Sequence, residues 1–120
     1  MRVLALAACL MMTAGMAQAQ QTAAIGTGAA LRALEKISGE VTDLILAPGE
    51  QAEFGRLTIE MAQCRYPQGD PSGDAYAFLT IREQGIEEPV FSGWMIASSP
   101  ALNALDHPRY DVWVMRCKTD

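Results

Sequence analysis

Phe91-Ser92-Gly93-Trp94-Met95-Ile96-Ala97-Ser98-Ser99-Pro100-Ala101-Leu102-Asn103-Ala104-Leu105-Asp106-His107-Pro108-Arg109-Tyr110-Asp111-Val112-Trp113-Val114-Met115-Arg116-Cys117 reads as strand, turn, short helix, turn, strand. It holds both tryptophans and the one histidine of the protein. Ser99 suits an N-cap, its hydroxyl offered to an exposed amide, and Pro100 suits the first helical position, where no N–H is needed. Leu102 and Leu105 are spaced to dock together, and Pro108 ends the helix after about two turns. Tyr110 to Cys117 alternates as a closing strand.

Working outward, Leu57, Ile59 and Met61 alternate with Arg56, Thr58 and Glu60, the period of a half-buried strand. Strict alternation puts Cys64 on the Thr58/Glu60 face, unless a bulge near Ala62 and Gln63 turns it inward. Tyr66 to Asp74 is a Pro/Gly loop. Ala75 to Arg82 and Pro89 to Ile96 form a hairpin, and the apolar residues on both of its faces imply strands covered on two sides. Val41 to Leu46 is a further strand, ending in the turn Ala47-Pro48-Gly49-Glu50. Leu31 to Ile37 fits either a helix or an edge strand. The fold expected is all-β, a small antiparallel sandwich or barrel with one short helix.

Met1-Arg2, the uncharged apolar run Val3 to Ala17 and Ala17-Gln18-Ala19 have the form of a signal peptide cut after Ala19. The run is shorter than the ~18 apolar residues a membrane span needs. Residues 1–19 are therefore expected to be removed on export to the periplasm, leaving membrane contact to the uncleaved signal alone. Gln20 to Ala30 reads as a flexible tether and residues 31–120 as a single β domain. The formal charge of −5 becomes −6 once Arg2 leaves. With no basic cluster, nucleic acid is a poor partner class. Cys9 leaves with the signal, so Cys64 and Cys117 are the remaining thiols in an oxidising compartment and are expected to pair.

Candidate chemistry is thin. Ser98, Ser99, Asp106, His107 and Asp111 supply the letters of a hydrolase triad without a Gly-x-Ser-x-Gly elbow. One histidine and two paired cysteines are too few for zinc, Asp70 and Asp74 read as turn residues rather than calcium ligands, and no cofactor motif occurs. No catalytic residue and no metal site are assigned. An exposed face built from Trp94, Asn103, His107 and Arg109 is the candidate interaction surface, and the expected role is a non-enzymatic envelope protein that binds another protein. A cell-wall glycan or peptide module is the second reading, which needs a concave aromatic pocket. A Ser/His hydrolase is the third.

The run from Phe91 through Gly93-Trp94-Met95, Ala97-Ser98-Ser99-Pro100-Ala101-Leu102-Asn103-Ala104-Leu105, His107-Pro108 and Tyr110-Asp111-Val112-Trp113-Val114 resembles the signature of a small exported proteobacterial family. That family is known chiefly as a domain of unknown function. The likeness extends upstream through Phe54-Gly55, Leu57-Thr58-Ile59 and Cys64, with Ile96 standing where an aromatic residue is expected. The resemblance implies export and a single domain. It implies no activity.

Overall fold

Alternation is realised as eight strands in the computed structural model, which describes residues 22–120. The expected signal peptide, its cut after Ala19 and the start of the tether lie outside the described residues. The strands are Ala23–Ile25 (β1), Gly28–Glu35 (β2), Val41–Leu46 (β3), Gln51–Phe54 (β4), Leu57–Pro67 (β5), Tyr76–Glu83 (β6), Phe91–Ile96 (β7) and Tyr110–Lys118 (β8). All pairings are antiparallel. One sheet runs β1-β5-β6-β7, with β4 sharing the β1 edge of β5; the other runs β3-β2-β8.

The inner faces supply one core. Ala29, Leu31 and Ala33 of β2 and Tyr110, Val112 and Val114 of β8 meet Leu57, Ile59 and Met61 of β5 and Ala77, Leu79 and Ile81 of β6. Hiding a large aliphatic side group this way contributes about 1.5–3 kcal/mol relative to leaving it exposed. Among the described residues no ladder joins the two sheets, so they do not close into a barrel.

The two cysteines reach this core through two bulges. Strand β5 inserts one extra residue, Ala62, between Met61 and Gln63, and β8 inserts Met115 between Val114 and Arg116. Each insertion flips the residues after it to the other face. Cys64 and Cys117 thereby turn inward and bond across the two sheets, Cα to Cα 5.7 Å. Met115, the inserted residue of β8, is exposed.

The segment read as a tether is structured from Ala23 onward: β1 pairs with β5, and Gly28, Ala29 and Ala30 are buried at the start of β2. Between them the backbone crosses from one sheet to the other over the disulfide, Gly26 N–H donating to Cys64 O (2.8 Å) and Thr27 N–H to Lys118 O (2.8 Å). A Cβ on Gly26 would lie 2.7 Å from Lys118 O, so the close crossing requires glycine. Leu31 to Glu35 continues as strand, neither the helix nor the edge strand expected, since β2 is paired on both sides and lies at the centre of its sheet.

The expected helix after Ser99 is absent; no helix occurs among the described residues. Ser99 caps nothing: its carbonyl accepts from Leu102 N–H (3.1 Å) in a single turn, and its own N–H donates to Ile96 O (3.2 Å). Leu105 is buried, but Leu102 is 75% exposed, so the leucine pair does not dock. The segment must lead from the β7 edge to β8 in the other sheet, and its backbone is committed to that crossing.

Tyr110 anchors the far end. Its ring meets Phe54 edge-on (centroids 5.9 Å apart), and its hydroxyl accepts from Arg56 N–H (3.1 Å). Gly55, at φ +57°, begins the two-residue β4–β5 turn and has no room for a Cβ against the Tyr110 ring.

Candidate functional site

The Ala62 bulge that buries Cys64 also points Gln63 and Arg65 outward. Beside them β6 presents Tyr76 and Phe78, β7 presents Trp94 and Ile96, and β1 presents Ala23 and Ile25. The registers align Ile25, Arg65, Tyr76 and Ile96 in one row across four strands, and Gln63, Phe78 and Trp94 in the next. An outer face of this kind ordinarily alternates to polar residues. Here, Gln63 and Arg65 apart, these positions are aromatic and aliphatic.

Trp94 is 37% exposed and Ile25 63% exposed. The indole packs edge-on against Phe78 (centroids 5.4 Å apart), and the Arg65 guanidinium lies over it, 5.1 Å from the ring centroid. Arg65 Nε donates to Gln63 Oε1 at 2.6 Å. Arg65 has no carboxylate partner among the described residues. Ala23, Arg65, Tyr76, Trp94 and Ile96 line a shallow depression of about 280 Å³. The two-sided cover expected for β6 and β7 is therefore half right. The other sheet covers one face; no described element covers this one.

The four residues of the expected surface do not share a face. Asn103 joins Trp94, its Nδ2 donating to the Trp94 carbonyl (2.9 Å) at the outer edge of β7. His107 is buried, 9% exposed, against Glu83 at the opposite end of β6 from Tyr76. Its Nδ1 accepts from the N–H groups of Arg109 (3.0 Å) and Tyr110 (3.1 Å), which leaves Nε2 to donate to Glu83 Oε2 (3.1 Å). Arg109 donates from Nε to Glu35 Oε1 (3.1 Å) and lies over the Tyr110 ring. Lys36 Nζ donates to the His107 carbonyl (2.9 Å), completing a polar cluster that ties the β2–β3 turn to the entry of β8.

Glu35 is the acceptor of that cluster. The hydroxyl and amide of Ser38, with the Ile37 amide and Arg109, outweigh burial and hold the Glu35 carboxyl down to about 2, against an ordinary 4.5. A carboxylate whose folded value is depressed adds stability that is complete above its unfolded value and disappears as pH falls through the folded one. Urea unfolding of the wild type should therefore show stability falling between about pH 4.5 and 2, and Glu35→Gln should flatten that limb. An unchanged limb in Glu35→Gln would remove Glu35 as its source.

The hydrolase letters are dispersed. The Ser98 hydroxyl and amide both donate to Asp74, whose carboxylate also accepts from Ala75 N–H (2.8 Å). Burial raises the Asp74 carboxyl, but these donors and Tyr76 outweigh it, and the net direction is downward. Among the described residues no hydrogen bond links Ser98 or Ser99 to His107, and no group of three or more His, Cys, Asp or Glu is placed to hold a metal.

The contributions of Arg65, Tyr76, Phe78 and Ile25 to this face are not anticipated by the sequence reading. A signal was present in Tyr76 and Phe78, which alternate against buried Ala77, Leu79 and Ile81; what hid the face was the bulge, which places Arg65.

With this geometry in hand, comparison gives a family. Residues 29–117, which take in β3 to β7 whole and all but one end residue of β2 and of β8, match a family described as an uncharacterized protein conserved in bacteria (DUF2155). The protein belongs to that family. It is 32% identical over 94 residues to the uncharacterized protein RP359 of Rickettsia prowazekii (strain Madrid E), a match that covers 76% of this sequence and 61% of that protein. The match thus spans about three-fifths of the relative's length. No solved structure matches.

Proposed function

We propose that this family member is an exported, non-enzymatic protein of the bacterial envelope that works by docking another protein on the outer face of the β1-β5-β6-β7 sheet. The single observation that carries the reading is the apolar patch of Tyr76, Phe78, Trp94 and Ile96 on that face, which no described element covers, on strands whose other side is already core. Aromatic and arginine residues of this kind anchor protein interfaces, the rings because they offer large contact area at low entropic cost. The Cys64–Cys117 bond supports an oxidising compartment, in keeping with the expected signal peptide.

A glycan or small-peptide pocket fits less well. The depression, about 280 Å³, falls just below the ~300–1,000 Å³ range for ligand sites and is lined mainly by apolar atoms, with few groups to read hydroxyls. Crosslinking in living cells with a tagged protein should recover one dominant envelope protein. Trp94→Ala and Ile25→Ser, each in a variant that still melts cooperatively, should lose it. Recovery unchanged in both variants would move the interface elsewhere.

A further inference from the structure

We infer that the partner segment bound on this face carries a carboxylate, from Asp, Glu or a free C-terminus, next to an apolar residue, and that Arg65 receives it. The inference rests on the docking reading above and adds the chemistry of the partner.

An exposed arginine ordinarily samples many rotamers and loses that freedom when it binds. Arg65 is held in advance at two points. Gln63 Oε1 fixes its Nε at 2.6 Å, and the Trp94 indole lies under its guanidinium at 5.1 Å. What remains open among the described residues is the pair of terminal nitrogens, the part of the fork that matches a carboxylate. The protein is acidic overall, yet this charge has no acidic neighbour within ion-pair distance among the described residues, unlike Arg32 with Asp43 and Arg109 with Glu35. Tyr76, Trp94, Ile96 and Ala23 wall the depression beside it and suit one or two apolar groups. The face therefore offers an apolar floor with one preorganised cation beside it. A protein segment with an acidic residue beside an apolar one satisfies both halves, while an anionic headgroup uses only the cation.

The test selects a random seven-residue peptide library, displayed on phage, against the oxidised protein expected to follow Ala19. Enriched sequences should pair Asp or Glu with a large apolar residue. Resynthesis with Asp→Asn or Glu→Gln should weaken binding about tenfold or more, the size of one charge-assisted pair. Arg65→Gln should lose the same factor and no longer distinguish the acid from the amide; Trp94→Ala and Ile25→Ser should weaken both. Neutral peptides that still require Trp94 would overturn the carboxylate inference and leave the docking face standing. Peptides indifferent to both Trp94 and Ile25 would sink the docking face as well. Competition by inorganic phosphate or by phosphatidylglycerol vesicles as strong as by the acidic peptides would overturn the inference in favour of a headgroup.

Discussion

Replacing Cys64 and Cys117 together by alanine should lower the free energy of unfolding by about 4 kcal/mol, seen as a large fall in the denaturant midpoint. The two residues are separated by 53 positions, and closing a loop of that length removes about that much conformational entropy from the unfolded state. Few other tethers join the two sheets, because no backbone ladder crosses between them among the described residues. The bond also sits beneath the crossing at Gly26, whose N–H is held by Cys64 O, so β1 should be among the first elements to lose protection from hydrogen exchange. A thiol count on the unfolded, unreduced protein beyond Ala19 should find none. Two free thiols, or a loss below about 1 kcal/mol in the double variant, would contradict a bridge that staples the fold.

His107→Ala should cost about 3 kcal/mol. The substitution strands the N–H groups of Arg109 and Tyr110 and takes the donor from the Glu83 carboxylate. An unsatisfied buried donor costs about 1–3 kcal/mol, and the lost ring also vacates its contact with Tyr110, at 5.1 Å between centroids. His107→Asn should recover part of the loss, since its amide oxygen can accept from one of the two N–H groups. Denaturant unfolding of both variants reads the result. The same experiment separates the structural role from the hydrolytic one, because a catalytic His107 would be replaced with little change in stability. A variant as stable as wild type would reopen the hydrolase reading.

Where a strand is stiffened by large residues, the sequence spoke clearly. Leu57, Ile59 and Met61 in β5 and Val112 and Val114 in β8 face the core as their alternation requires. The residues from Gly28 to Ala33 were harder to read, because glycine and alanine are weak strand formers by local preference, and their buried setting comes from β3 and β8 on either side. The disulfide pairing was legible from the cysteine count and the expected oxidising compartment. Its position was left between the outer face and a bulge near Ala62 and Gln63, and the bulge is what occurs, whereas nothing local marks Met115 as the second insertion. Ser99-Pro100 carried a sound helix-start signal that lost to tertiary demand, with Asn103 drawn to the Trp94 carbonyl and Leu105 alone reaching the core. The candidate surface was half legible. Trp94 and Asn103 meet, whereas His107 and Arg109 are recruited by Glu83 and Glu35, acceptors distant in sequence.

The measurement that tests docking on this face most directly is site-specific photo-crosslinking in living cells. A photoreactive residue would be placed at Ile96 or Ile25 on the aromatic face, and at Ile45, 56% exposed on the outer face of the other sheet, as the control. Docking predicts one discrete adduct with a single envelope protein from Ile96 and Ile25 and none from Ile45. Adducts from Ile45 alone, or equally from all three positions, would contradict it.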